Sequence, residues 1–300
     1  MENYRKRILI TGAAGLIGRE LCNKLSLKHH VVGVDNNFRF NNYTPENCYY
    51  AKQDLKEFIA SSDNDFDYVF HMAAINGTSH FYDIPLNVLE NNITTDLEIF
   101  NFARKNKNCK LIYASSSEIV ADSKNFPTAE ETDVVIKDIH NSRWSYRLPK
   151  IVAENYLFNS NLDFLIVRFF NVYGANSTKG HFIGDILEKI NSNVFEIHGS
   201  NETRSFCYID DAVSALLSIY EEVSSEVINI GAQEEISILD AANQIAECMG
   251  IKDTDWKIVP SRYGSVDRRI PDITKLKSYF KEYSPISFKE GIKLVLNNRQ

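Results

Sequence analysis

The sequence lacks any apolar run long enough to span a membrane. Its longest, such as Phe164-Leu165-Ile166-Val167, have the length of a strand. A secretory leader is not expected either, because Met1-Glu2-Asn3-Tyr4-Arg5-Lys6-Arg7 leads into Ile8-Leu9-Ile10 alone before Thr11-Gly12. Basic charge is not in excess: 33 Lys and Arg face 40 Asp and Glu, a net charge of −7, with no basic stripe to suit nucleic acid. The 5 cysteines (Cys22, Cys48, Cys109, Cys207, Cys248) form no CxxC and no His/Cys cluster at metal-ligand spacing. Their odd number argues against a disulfide framework. Reduced, core-filling thiols in a soluble cytoplasmic protein without a metal are expected. Low-complexity tracts, internal repeats and long linkers are also missing.

What is present is a core. With 44% hydrophobic residues in 300, the chain makes one large domain or two modest ones. Arg7–Thr11, His30–Asp35, Tyr68–His71, Lys110–Ser115 and Asp163–Phe170 read as strands. Leu16–Lys28, Leu86–Lys105 and Tyr146–Phe158 read as helices between some of them. This alternation predicts an α/β fold, a doubly wound parallel sheet of Rossmann type. After about residue 172 the rhythm loosens. The expected division is a dinucleotide-binding domain over 1–172 plus about 206–232, and a smaller mixed lobe over about 173–205 plus 233–300. Within that lobe Ser237 and Asp240 predict a capped helix that Gly250 ends.

The strongest local signal is Ile8-Leu9-Ile10-Thr11-Gly12-Ala13-Ala14-Gly15-Leu16-Ile17-Gly18, a strand, a glycine turn and a helix start. Gly12, Gly15 and Gly18 allow a tight turn and a close approach of backbone to a pyrophosphate, with Leu16 and Ile17 opening the helix beneath it. Asp35, about twenty residues further on at the end of the next strand, suits the adenosine ribose hydroxyls. A 2′-phosphate would meet it as a like charge, which favours NAD, although Arg39 stands nearby.

The spacing GxxGxxG, rather than GxGxxG, resembles the extended short-chain dehydrogenase/reductase family of nucleotide-sugar epimerases, dehydratases and decarboxylases. Asp54-Leu55 is similar to the family's adenine-flanking pair. His71-Met72-Ala73-Ala74 is similar to its strand end beside the cofactor, which brings in Ala73, and Asn91-Asn92 to its Asn-rich helix turn, which brings in Asn92.

Tyr146 and Lys150, at i and i+4, share one helix face. A phenol is a poor base at neutral pH unless positive charge, here an ammonium and a nicotinamide, favours its phenolate. The pair could then take a proton from a sugar hydroxyl, and the resemblance implies that Lys150 also holds the cofactor ribose. The strand Lys110–Ser115 runs into Ser115-Ser116-Ser117-Glu118. The resemblance gives Ser116, with Ser117 as the alternative, a hydrogen bond to the reacting hydroxyl. Glu118 resembles the residue of dehydratases and decarboxylases that could take a C5 proton, the alternative being a surface carboxylate. Ser117 replaces the Asp of dTDP-sugar dehydratases, so the GDP-mannose dehydratase and UDP-glucuronate decarboxylase patterns fit better. Arg147, Leu148 and Pro149 replace the usual small spacers, and Val120-Ala121 a usual Tyr-Gly. Pro149 is tolerable if it falls in a first helical turn that begins near Trp144 or Ser145.

Arg168-Phe169-Phe170-Asn171-Val172-Tyr173-Gly174 resembles the family's R-x-x-N-V-Y-G, which implies that Asn171 contacts the substrate diphosphate. By the same resemblance Arg204 grips that diphosphate and Arg269 is a further substrate arginine; guanidinium forks suit phosphate oxygens. The implied protein is an NAD-dependent enzyme that oxidises the C4 hydroxyl of a nucleotide-diphosphate sugar to a 4-keto species. Epimerisation, dehydration, decarboxylation or release of the ketone can follow. Asn141–Tyr146 is similar to segments of bacterial surface-polysaccharide enzymes. The resemblance also implies a homodimer through a four-helix bundle made from 86–105 and 146–158. A catalytically silent, NAD-sensing scaffold is the alternative, and the presence of Tyr146, Lys150 and the serine cluster speaks against it.

Overall fold

The computed structural model describes residues 5–298 apart from 39–44, 46, 64, 107, 178–179 and 253, so Arg39 lies outside the described residues. The strands of the central sheet are β1 (Arg7–Thr11), β2 (His30–Asp35), β3 (Tyr49–Lys52), β4 (Tyr68–His71), β5 (Lys110–Ser116), β6 (Asp163–Phe169) and a seventh, Glu226–Ile230. All pair in parallel, in the order seventh, β6, β5, β4, β1, β2, β3. The chain winds outward from β1 to β3 and returns to the other side of β1 at β4. Loops leaving β1 and β4 therefore diverge and open a crevice at their carboxyl ends. Ile8, Leu9, Ile10, Leu111, Ile112, Tyr113, Leu165, Ile166 and Val167 have no exposed surface. Such unbroken apolar runs are what a sheet covered on both faces requires.

The expected α/β doubly wound sheet is the observed one, and β1, β2 and β4 keep their predicted bounds. The helices that matter here are α1 (Leu16–Leu25), α2 (Leu55–Ser61), α3 (Thr78–Asp83), α4 (Pro85–Lys105) and α5 (Trp144–Phe158). Helix α1 stops three residues short of Lys28, because the N–H groups of Lys28 and His29 both turn back to the Leu25 carbonyl. Helix α5 starts at Trp144, which puts Pro149 inside the second turn rather than in the first. The carbonyl of Ser145 there loses the N–H that proline lacks. β3, α2 and the seventh strand carry too short a pattern to be read beforehand.

The second layer is small. Thr203–Ser205 lies between Glu235–Ser237, antiparallel, and Arg268–Arg269, parallel, which sets Arg204 and Arg269 side by side in register. Helix Ile238–Cys248 forms as expected: the Ser237 hydroxyl accepts the Asp240 N–H at 3.0 Å, and Gly250 takes the left-handed conformation at φ 81°. No helix among the described residues is long and apolar enough to cross a membrane. The cysteines are free, with Cys22, Cys109 and Cys207 buried and Cys48 and Cys248 half-buried.

One buried latch fixes α5 on the sheet. Arg168 of β6 donates to both oxygens of Glu154 on α5, at 3.0 and 2.7 Å, and Ser115 of β5 donates to the same carboxylate at 2.5 Å. Glu154 stands one helical turn beyond Lys150, so the latch sets the height of that lysine over the sheet. Replacing Glu154 by Leu leaves the Arg168 charge buried without its partner. Unfolding in urea is expected to show a loss of about 3–5 kcal/mol.

Candidate active site

β1 ends at Thr11, and Gly12 turns the chain at φ 68°. A Cβ at Gly12 would come within 2.7 Å of the Ala73 backbone nitrogen, and one at Gly18 would overlap the Gly12 carbonyl. Only glycine allows the β4 loop and the start of α1 to close on this turn. Gly15 stands at the N-cap of α1, and Gly15, Leu16 and Ile17 line a cleft of about 920 Å³. At the end of β2 the Asp35 carboxylate accepts N–H groups from Ala14 at 3.0 Å and Asn37 at 2.7 Å. Burial raises its pKa, and those two bonds oppose the rise. Asp54 caps α2 by accepting the Lys56 N–H at 3.0 Å, and both Asp54 and Leu55 line the cleft. The Asn92 side chain brackets Ile75, accepting its N–H at 2.8 Å and donating to its carbonyl at 3.1 Å. The loop that carries Ala73 is thereby fixed opposite Gly12.

These residues fit a dinucleotide. The turn is bare of side chains where a pyrophosphate would meet the free N–H groups of α1, and a carboxylate stands where the adenosine ribose would lie.

Further along the cleft, Tyr146 from α5 and Ser116 from β5 line the same wall. Burial pushes the Tyr146 phenol up, and Ser116 opposes this. Ser117 is also buried, but it begins the short turn 117–120 after β5. Phe81 of α3 stacks on the Tyr146 ring, with centroids 4.8 Å apart. Lys150 has no more than 1% exposure, and its Nζ donates to the Tyr113 hydroxyl at 3.0 Å. That Nζ lies 6.0 Å from the Tyr146 ring centroid. The expected phenol and ammonium therefore share one wall of the cleft, and the lysine turns its hydrogen bond towards β5.

Glu118 is buried rather than on the surface. Its carboxylate accepts from Arg143 at 2.5 and 3.0 Å, Arg147 at 3.0 Å and Arg269 at 2.9 Å. Burial alone would raise the Glu118 pKa, but Arg143, Arg269 and Arg147 overcome it and hold the carboxyl well below the usual range. Arg147 also donates to Asp122 at 2.7 Å. Buried nitrogens of Arg147 (Nη2) and Arg269 (Nε) have no hydrogen-bond partner. Arg204, in register with Arg269, lines the same cleft, and burial together with Arg269 pushes its pKa down to about 9. An anion in the cleft would offset that penalty. Asn171 adopts a left-handed conformation at φ 42°, lines the cleft and donates to the Ser205 carbonyl at 2.8 Å.

Residues 8–231 match the model of the NAD dependent epimerase/dehydratase family. The chain belongs to this family. It is 30% identical to the UDP-N-acetyl-alpha-D-glucosaminuronate decarboxylase of Bacillus cytotoxicus, over 96% of either protein. It is 27% identical to the UDP-glucose 4-epimerase of Thermotoga maritima solved with UDP-glucose, with a TM-score of 0.85 and 97% of each chain covered. The UDP-glucuronic acid 4-epimerase of Bacillus cereus, solved with UDP-glucuronic acid and NAD, is 25% identical with a TM-score of 0.82, over 97% of this chain and 99% of that one. Like these family members, the chain is an NAD-dependent enzyme of nucleotide-sugar chemistry.

For a member of the epimerase/dehydratase family, the arrangement brings the sequence-derived candidates to one cleft, except Asn92, which is buried behind the Ala73 loop and supports it at Ile75. Arg269 stands on Glu118 at the Tyr146 end. Sequence reasoning gave no role to Arg143, Arg147, Asp96 or Tyr113. A signal for the first two exists: like charges at i and i+4 disfavour a helix unless an anion meets both, and Glu118 is that anion. For the glycine turn, Gly12→Val combines a forbidden φ with a clash at Ala73. NAD binding measured by calorimetry is expected to weaken at least about tenfold.

Proposed function

We propose that this enzyme oxidises the C4 hydroxyl of a nucleoside-diphosphate hexuronate, and that the resulting β-keto acid loses carbon dioxide. The observation that carries the reading is the charge at the Tyr146 end of the cleft. Arg143, Arg147, Arg204 and Arg269 face Glu118, Asp122 and, beside Arg204, Glu202, so cations outnumber carboxylates in a buried place. A diphosphate held by Arg204 and Asn171 would use part of that charge. The remainder, at Arg143 and Arg269, suits a carboxylate on C5 of the sugar. The names of the Bacillus cytotoxicus and Bacillus cereus proteins, both acting on UDP-linked uronates, support the same substrate class.

The Gly12–Gly18 turn, Asp35 and Lys150 would hold NAD, which would supply a reversible acceptor for hydrogen and its electron pair from C4 and return them to C4 after carbon dioxide has left. Tyr146 takes the C4 hydroxyl proton, with Ser116 holding the oxygen and Lys150 keeping positive charge near the phenol. With C4 a ketone, the C5–C6 bonding pair can flow towards C4 as carbon dioxide leaves, and a proton at C5 completes the loss. The enolate oxygen then rests on Ser116 and the protonated Tyr146. Glu118, ionised and engaged on both oxygens, serves in this reading to hold the arginines rather than to take a proton from C5. A 4-epimerase that keeps the carboxylate shares the first half of this chemistry, and the Bacillus cereus neighbour favours it as the second reading. A silent scaffold has no observation in its favour.

The reading also includes the division into a dinucleotide-binding domain and a sugar-nucleotide lobe, a place in the cytoplasm where free thiols stay reduced, and supply of activated sugars to bacterial surface polysaccharides. It includes a homodimer too. Leu86 and Leu97 of α4 and Val152 and Phe158 of α5 are exposed on two helices that pack together. A second copy would bury them in a four-helix bundle.

Purified protein incubated with UDP-linked hexuronates and their neutral hexose counterparts is expected to remove carbon dioxide from a hexuronate, as read by product mass. An unchanged mass with inverted C4 would establish the epimerase, and turnover of neutral sugars alone would refute the hexuronate reading. Tyr146→Phe should bind NAD as the wild type does and turn over at least about 100-fold more slowly. Val152→Arg is expected to shift the dimer to monomer in sedimentation; an unchanged mass in solution would remove α5 from the interface.

A further inference from the structure

A chain of buried polar groups runs beneath the cleft, and the proton transfer described above leaves most of it unused. The Ala73 N–H donates to Thr11 Oγ1 at 3.3 Å, and Thr11 Oγ1 meets His71 Nδ1 at 2.6 Å. His71 Nε2 meets Asp96 Oδ1 at 3.0 Å, Tyr113 donates to Asp96 Oδ2 at 2.7 Å, and Lys150 donates to Tyr113 at 3.0 Å. Thr11, His71, Asp96, Tyr113 and Lys150 are all buried.

The direction of each bond follows from its neighbours. Thr11 Oγ1 accepts from Ala73, so its own proton is free for His71 Nδ1, which leaves the His71 proton on Nε2 to be given to Asp96. Burial lowers the His71 pKa against the pull of Asp96, which keeps the ring neutral. The chain then holds one negative charge, on Asp96, and one positive charge, on Lys150. Glu154, the other carboxylate near Lys150, is engaged by Arg168 and Ser115. The groups facing Lys150 are thus Asp96 from α4, Tyr113 from β5, His71 from β4, and Tyr146 and Glu154 from its own helix.

We propose that Asp96, acting through Tyr113, is a positioning residue that keeps the Lys150 ammonium charged and in place, and that His71 and Thr11 tie this counter-ion to the cofactor loop at Ala73. The proposal rests on the reading of Tyr146 and Lys150 as the proton-transfer pair, whichever sugar is bound. Burial pushes the Lys150 ammonium towards its neutral form, and Asp96 and Glu154 oppose this. A neutral lysine would leave the Tyr146 phenolate without its stabilising charge. The Asp96–Tyr113 arm therefore sets the upper pH limit of the pair.

The test reads Lys150 itself, by NMR titration of its ε-carbon in NAD-loaded protein made with isotope-labelled lysine and assigned with Lys150→Arg. In Asp96→Asn the Lys150 midpoint is expected to fall by about one pH unit. In Tyr113→Phe, which keeps the ring and removes only the linking hydroxyl, a smaller fall is expected. The basic limb of the turnover profile should move with the midpoint. A purely structural role for Asp96 would lower stability and leave the titration where it was. An unchanged midpoint in Asp96→Asn, or in Tyr113→Phe should the first variant fail to fold, overturns the proposal. A protein that turned over no nucleotide sugar would count against the proposed function and leave this titration able to decide.

Discussion

A lysine ammonium with almost no contact with water sets the terms for the wall of the cleft that carries Tyr146. Such a charge persists in a protein interior only where carboxylates and hydrogen-bond acceptors replace its hydration. Lys150 has Tyr113 and Asp96 on one side and Glu154 one turn away on the other. Glu154 is itself fixed by Arg168 and Ser115, and Asp96 by His71 and Tyr113. Strands β4, β5 and β6 and helices α4 and α5 are thus bound to one another through the same few charges. The placement of Tyr146 follows from this, since it shares α5 with Lys150.

The Glu118 end of the cleft reverses the sign. There a single buried carboxylate, Glu118, is surrounded by three guanidiniums, with a fourth close by. Burying cations beside one another is unfavourable unless an anion is shared among them, and Glu118 meets that need. Burial, and then the neighbouring guanidiniums, leave Arg204 and Arg269 with their charged forms disfavoured. Diphosphate and carboxylate oxygens would relieve such a penalty, which is the ground of the proposed hexuronate reading. At the cofactor end the constraint is steric. Gly12 and Gly18 leave no room for side chains between the β4 loop and α1, and the space so kept suits a phosphate.

Much of this was readable in the chain itself. The strand, glycine turn and helix at residues 8–18 announced the dinucleotide crevice, because only glycine permits that backbone. The i, i+4 spacing of Tyr146 and Lys150 fixed their common face, because helical geometry is local. The first-turn placement of Pro149 did not hold, since α5 begins at Trp144 and the proline falls in its second turn. The short β3 and the capped α2 offered too few residues for a pattern to emerge.

Local chemistry alone therefore determined the parallel α/β sheet, the cofactor turn and the phenol–ammonium pair, since each depends on residues close in sequence or on a strict backbone requirement. Which charges meet was decided by tertiary structure. Glu118 and Arg269 lie far apart in the chain and touch only because strand Arg268–Arg269 pairs beside Thr203–Ser205 over the cleft. Asp96 reaches Lys150 only because α4 and α5 pack across β5. Electrostatic pairing acts through space, over a few ångströms, and no spacing in a linear sequence encodes that distance.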